Sequence, residues 1–381
     1  MILTDDQDGS VAGGDWHMPK LREHLAQRGA NFTNHVLNFA LCCPSRATIL
    51  VGQCAHNSGI VSLYYPLGGS RRFRERGLES RAVPLILQQA GYRTGLVGKY
   101  LNGYGTEFSA AYVPPGYDTW FGMRQQGYYN IDFSDNGQNV HLGSEPGNYS
   151  TDVIAARAVS FIQEAAQDGR PFWLLVAPFA PHTPFVPAPR HMDKLKGLTV
   201  PRVPSWNESS ATLSTKIPRT LSDPRYNPPL GPEEAAALDH DYQRRAEMLL
   251  SVDDAIDAIV KALQAVGKLG NTYIMYASDN GLKLGHRRKT SKQSPYEEDV
   301  RVPLYVRGPG LPSGIKLPHL VTNADFAPTW LELAGVADPY AQERDGRSFA
   351  AVLRRHEARG DPDSFRTGVL IEMILRKLGA T

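Results

Sequence analysis

An α/β fold built on a mostly parallel sheet is what this sequence predicts, and three observations carry that reading. Short runs without a polar face recur along the chain: "MIL" at the start, then "TGLVG" (94–98), "FWLLVAP" (172–178), "TYIMYAS" (272–278) and "VPLYVRG" (302–308). Between them lie longer stretches with helical spacing of apolar residues. Strands apolar on both sides need cover on both sides, and crossover helices supply it when the strands run parallel. Finally, 381 residues with 41% hydrophobic and 21% charged side chains are enough for one large core.

Each element has a local reason. "MIL" is only three apolar residues ahead of Asp5 and Asp6, short for a buried strand, and reads as a strand that starts late. "PSRATILVG" (44–52) predicts a helix with Pro44 in its first turn, where no amide donor is needed. "AVPLILQQAG" (82–91) is helical and leads into the strand at 94–98. "GYYNIDFSDNGQNV" (127–140) predicts a hairpin around Asn136-Gly137, a pair suited to a two-residue turn. "TDVIAARAVSFIQEAA" (151–166) and "RRAEMLLSVDDAIDAIVKALQAVG" (244–267) are helices that precede strands. "DFAPTWLELAGV" (325–336) is a further helix, with Pro328 in its first turn and Gly335 near its stop. Residues 191–232 are rich in Pro, Ser and Lys and lack periodicity; so long a loop reads as a rim that shapes access to a site, with a mobile insertion as the alternative.

Bulk properties exclude several classes. A net charge of +2 gives no case for a nucleic-acid partner. No apolar run approaches the roughly 20 residues of a membrane span, and no signal peptide is read at the start. Three cysteines make no disulfide framework. Cys42, Cys43 and Cys54 with His56 fit no zinc spacing, so Cys43 and Cys54 read as small buried residues.

In open α/β sheets ligands bind beyond the carboxyl ends of strands. Four stretches put polar groups there: Asp5 and Asp6, Asp279 and Asn280, His182, and Lys99. An isolated Asp-Asp is more often a turn or a cap. Three carboxylates and an amide oxygen from two strand ends make a cage for a hard cation, Ca²⁺ or Mg²⁺. Cys42 falls at a helix N-terminus, which favours an anion, with Arg46 one turn on. A thiolate is one reading of Cys42. A hard cation is an odd neighbour for sulfur, and an oxygen at position 42 fits better.

Here the sequence resembles a known family. Cys42-Cys43-Pro44-Ser45-Arg46 matches the Cys-x-Pro-Ser-Arg motif of type I sulfatases. "LTDDQD", "GYRTGLVGKYLNGYG", "APHTPF", "SDNG", "VPLYVRGPG", "NADFAPTWLELAG" and "DGRSF" stand in family order, so the resemblance runs from residue 2 to about 372. It implies an alkaline-phosphatase-like α/β/α sandwich. It also implies that Cys42 is oxidised to formylglycine by a formylglycine-generating enzyme, which supplies the missing oxygen. Asp5, Asp6, Asp279 and Asn280 would be the calcium ligands, with position 42 completing the shell and Mg²⁺ as the alternative ion. Arg46 and Lys99 would hold the hydrated aldehyde, while His182 and Lys292 would bind sulfate and assist the leaving group. Lys292 is chosen because "KQSPYE" resembles the family's Lys-x-x-x-Tyr-Glu stretch; nearby Lys283, His286, Arg287, Arg288 and Lys289 read equally as a solvated basic loop or as a grip on an anionic substrate.

The double cysteine, and Leu101 where many sulfatases carry histidine, resemble the N-acetylglucosamine-6-sulfatase subgroup. That implies 6-sulfated glucosamine of a glycosaminoglycan as substrate, with a broad-specificity arylsulfatase and an inactive sulfatase-like protein as alternatives. Phosphonate and phosphodiester hydrolases of the same superfamily typically place His where Asn280 stands. The resemblance divides the chain into a catalytic domain over 1–355, with 127–140 and 191–232 as insertions, and a truncated remnant of a C-terminal subdomain over 356–381. His56 could line the pocket or be structural. A secreted, periplasmic or lysosomal setting is expected, and Asn31, Asn148 and Asn207 head glycosylation sequons.

Overall fold

The computed structural model describes residues 1–9, 17–208, 227–354 and 365–374. One sheet holds β1 (Ile2–Thr4), β2 (Ala30–His35), β3 (Arg93–Gly98), β4 (Thr119–Met123), β5 (Ile131–Asp135), β6 (Gln138–Leu142), β7 (Phe172–Ala177), β8 (Ile274–Ser278), β9 (Leu304–Arg307) and β10 (Ile315–Val321). Their order across the sheet is β10-β2-β9-β8-β1-β7-β3-β4-β5-β6. The central run β8-β1-β7-β3-β4 is parallel throughout.

Helices among the described residues include α1 (Cys42–Val51), α2 (Val83–Gln89), α3 (Ser150–Asp168), α4 (Pro232–Ala265), α5 (Glu297–Val300) and α6 (Phe326–Leu333). Successive strand residues face opposite sides, and the core divides accordingly. Leu3 packs with Ile49 and Leu50 of α1, Val83 and Ile86 of α2, and Phe326 and Trp330 of α6. Its neighbour Ile2 packs with Ile154 and Phe161 of α3 and with Val252 and Ile256 of α4. The sheet therefore lies between two helical layers, as the resemblance implied.

The hairpin forms where expected. β5 pairs antiparallel with β6, and Asn136 (φ 48°) and Gly137 (φ 92°) make the turn with the positive φ angles that a two-residue turn of this hand requires. Three readings need correction. The run at 302–308 becomes β9, which is antiparallel to both β8 and β2. Strands β2, β4 and β10 form where sequence pattern predicts none: β2 carries Asn31, Thr33 and Asn34, and β10 contains Pro318 beside a register shift, a feature that edge strands tolerate. The helix expected from 244 begins at Pro232, because the Glu234 carboxylate accepts the Gly231 amide at 2.7 Å and fixes an earlier start.

Of the loop expected at 191–232, residues 209–226 lie outside those described. The described part is anchored: Trp206 donates to the Leu284 carbonyl at 3.1 Å, and Val200 shares a small core with Leu238 and Tyr242. Of the segment expected to be a remnant, 356–364 and 375–381 also lie outside. Residues 365–374 pack against the loop after β2, where the Glu372 amide donates to the Asn38 carbonyl at 2.6 Å and Asn38 donates to the Leu370 carbonyl at 2.9 Å.

Packing at the end of β3 makes one glycine irreplaceable. Gly98 closes the strand at φ 112°, and a Cβ there would lie 2.0 Å from the Ala177 carbonyl oxygen. At Gly91 (φ 89°) nothing lies within 4 Å of such a Cβ. Gly98→Ala should cost more than Gly91→Ala by about 2 kcal/mol or more in urea unfolding. Equal losses would show that the contact is relieved without cost.

His35 is fully buried, and burial lowers its pKa from 6.5 to about 4. The unfolded chain therefore binds the extra proton, so this group's contribution is full above pH 6.5 and is lost as pH falls towards 4. His35→Gln should flatten the loss of stability across that window, measured as unfolding free energy against pH. An unchanged slope would assign the acid sensitivity elsewhere.

Candidate active site

The register between β1 and β8 builds the centre. Thr4 pairs with Ser278, so the two residues that follow each strand, Asp5-Asp6 and Asp279-Asn280, leave the sheet side by side. All four are at most 2% exposed. The Asp6 amide donates to Asp279 Oδ1 at 3.2 Å, and Asp6 holds a left-handed φ of 68°, which turns the chain sharply after β1. Gly98 pairs with Ala177, so Lys99 and the loop to His182 emerge from neighbouring strands at the same end.

α1 brings the remaining groups. Leu41 is extended and offers no side-chain cap, so the first-turn amides of α1 have no capping side chain, and Cys42 occupies the first helical position. Cys42 Sγ lies 3.4 Å from Asp5 Oδ1 and 2.9 Å from Lys292 Nζ. One turn later, Arg46 Nε donates to Asp279 Oδ2 at 2.7 Å, and another guanidinium nitrogen donates to the Lys99 carbonyl at 3.0 Å. Its third nitrogen stands 3.5 Å from Asp5 Oδ2. Lys99 bonds to Asp5, and Lys292 bonds to Asp6 as well as to the cysteine. His182 Nε2 is 3.6 Å from Asp6 Oδ2, while Nδ1 is 2.6 Å from the Thr183 carbonyl, so Nδ1 carries a proton. Every residue expected at the site is thus brought into this cluster.

Three carboxylates face three fixed cations. Burial alone would raise the pKa of Asp5, but Lys99, His182 and Arg46 outweigh it and hold the carboxyl below its ordinary value. Burial likewise opposes ionisation of Asp6, and Lys292 and His182 overcome it. Burial would discharge Lys99 and Lys292, yet Asp5 and Asp6 keep both ammoniums charged. Cys42 goes the other way: burial, reinforced by Asp5, pushes the thiol up to about 12. At neutral pH it is a protonated thiol, a poor nucleophile.

The residues present fit a hard divalent cation. Asp5, Asp6, Cys42 and His182 offer donor atoms within 4.8 Å of one another. Asn280 donates through its amide nitrogen to Asp6 at 2.6 Å, while its buried amide oxygen has no partner among the described residues. A buried acceptor without a donor is costly, and a cation would satisfy it.

Sequence reasoning misses three contributors. Arg245 of α4 donates to the Asp6 carbonyl at 2.5 Å and to Asp8 at 3.1 Å. Tyr128 donates to the His182 carbonyl at 2.5 Å, and the Phe179 ring stacks on His182 at 4.5 Å. No motif marks Arg245 or Tyr128, because they act through long-range contacts, whereas Phe179 is a local neighbour of His182 whose stacking only the loop's fold reveals. The basic loop also departs from a solvated reading: Lys283 is buried and bonds Asp299 at 2.5 Å, His286 is buried, and Arg287 pairs with Glu208 at 3.0 Å. His56 stands apart, paired with Glu372 at 2.9 Å.

Comparison with known proteins decides the family. The model described as Sulfatase matches residues 1–336. The chain belongs to the sulfatase family. It is 35% identical to the N-acetylglucosamine-6-sulfatase of Homo sapiens over 93% of this chain, and 36% identical to an arylsulfatase of Volvox carteri over 89%. It spans 64% and 55% of those two proteins. A solved sulfated-sugar complex, of a protein bound to its substrate D-glucosamine-2-N,6-O-disulfate, is 26% identical with a TM-score of 0.73, covering 93% of this chain and 79% of that one.

The guanidinium of Arg46 ties α1 to both acidic strand ends. Arg46→Ala should therefore cost about 3–5 kcal/mol in urea unfolding, by leaving Asp279 buried without its partner. Arg46→Lys, which keeps the charge but loses the fork, should recover part of this. A loss within about 0.5 kcal/mol would mean that water replaces the guanidinium.

Proposed function

We propose that this sulfatase-family chain hydrolyses sulfate esters, with 6-sulfated N-acetylglucosamine of glycosaminoglycans as substrate. The observation that carries the proposal is the position of Cys42, in contact with both Asp5 and Lys292 at the first turn of a helix. A thiol at about 12 needs conversion to become useful, and the reading includes its oxidation to formylglycine by a formylglycine-generating enzyme. Asp5, Asp6, Asp279 and Asn280 would hold Ca²⁺, with Mg²⁺ as the alternative; cation and formylglycine together supply an oxygen nucleophile and charge stabilisation at sulfur.

The other roles follow from the chain's own geometry. Arg46 and Lys99, at most 3% exposed, fix the acidic wall and the surroundings of position 42. The side chains of His182 and Lys292 are 19% and 15% exposed, so these two face incoming substrate. Lys292 stays cationic beside Asp6 and is suited to grip sulfate oxygens. His182, with Nδ1 committed to the Thr183 carbonyl, has Nε2 available to protonate the departing alcohol.

Support for the sugar comes from the Homo sapiens relative and the disulfated-glucosamine complex; the 36% identity to the Volvox carteri protein favours aryl sulfates as the second reading. A secreted, periplasmic or lysosomal setting belongs to the same proposal. No helix among the described residues is long and apolar enough to cross a membrane.

The direct test is protein made beside a maturation enzyme. Mass spectrometry of the tryptic peptide Gly29–Arg46 should show an aldehyde in place of the Cys42 thiol. The matured protein should release sulfate from N-acetylglucosamine 6-sulfate, lose activity to a chelator and regain it with Ca²⁺, and Cys42→Ala should abolish turnover. A matured peptide without sulfate release from any ester would leave the inactive sulfatase-like reading in its place. His182→Ala should lower kcat by about 10²–10⁴ on the sugar ester and much less on 4-nitrophenyl sulfate, whose leaving group needs no acid. Equal losses on both would remove His182 from the role of acid.

A further inference from the structure

A cavity of about 390 Å³ opens between the loop after β3 and the turn after β4. Lys99 lies in its wall, so it adjoins the charged cluster, and Tyr64, Arg124, Gln125, Gln126 and Asp132 are among the other lining residues. Arg124 stands out by its partners. One guanidinium nitrogen donates to Asn139 Oδ1 at 2.7 Å and another to the Gly105 carbonyl at 3.2 Å, both neutral acceptors. Its buried Nε has no partner among the described residues. Asp132, the carboxylate in the wall, is paired instead with His141 at 2.9 Å.

Arg124 is half-buried in the cavity wall and bonded there to neutral groups rather than to a carboxylate, so an anion held in the cavity would supply the guanidinium with a counter-charge. The surroundings specify what carries the anion. Gln125 and Gln126 are exposed amides that can donate to and accept from hydroxyls, and Tyr64, 54% exposed, offers an aromatic face to an apolar ring surface. The volume lies within the range of small-molecule sites.

We propose that this cavity holds the non-reacting part of the substrate and that Arg124 binds a second anionic group on it, a sulfate or carboxylate, in addition to the ester being cleaved. The preferred substrates are then doubly charged saccharides. This rests on the sulfatase reading but is separable from it.

The test uses two substrate pairs with matured protein: N-acetylglucosamine 6-sulfate against glucosamine 2-N,6-O-disulfate, and phenyl sulfate against 3-carboxyphenyl sulfate. The unaltered protein should favour the doubly charged member, and Arg124→Gln should raise its KM by about tenfold or more while leaving kcat and the singly charged member within about twofold. Arg124→Lys should restore part of the preference. Loss of turnover on all four esters alike, or a preference that survives Arg124→Gln, would overturn the proposal. Cleavage of the aryl pair alone would refute the sugar assignment while the aryl pair still decides the role of Arg124. Where the matured protein cleaves nothing, calorimetric titration with the two sugars decides: a preference for the disulfate that Arg124→Gln removes supports the subsite, and equal affinities refute it.

Discussion

The pairing of Thr4 with Ser278 is the constraint on which the site depends. It places the residues beyond two parallel strands side by side, so three carboxylates and one amide converge where the sheet ends. Like charges at that spacing repel and resist burial. The fold answers with Arg46, Lys99 and Lys292, drawn from a helix, another strand end and a loop. Removing any of them leaves buried charge, which is why the elements that carry them must arrive together.

That arrangement also explains the division between buried and accessible groups. Arg46 and Lys99 are enclosed and serve to hold the acidic wall. His182 and Lys292 remain partly open to solvent. Burial, reinforced by Asp5, keeps Cys42 protonated, so its sulfur is a poor nucleophile. An oxygen-rich wall that stabilises charge has little use for a soft thiolate.

The distance between family and substrate is the distance between this cluster and the loops around it. The strand ends and the first turn of α1 carry the motif residues, while the neighbouring cavity is lined by the 99–106 loop and the turn after β4.

Much of the fold is legible from residues alone. Five apolar runs mark strands of the central sheet or its immediate flank, and Asn136-Gly137 marks a hairpin, because buried strands and tight turns impose local composition. The paired acids, Cys42 and Arg46 are likewise visible, since strand ends and a helix start are local features. Whether they meet is a matter for tertiary structure. Register, the reversed direction of β9, the half-polar strand β2 and the edge strand β10 depend on which neighbours each strand finds, and no short window encodes that. Arg245, Tyr128 and Arg124 carry no sequence signal for the same reason: each acts on a group distant along the chain, through contacts that exist only once the sheet and its helices have closed around them.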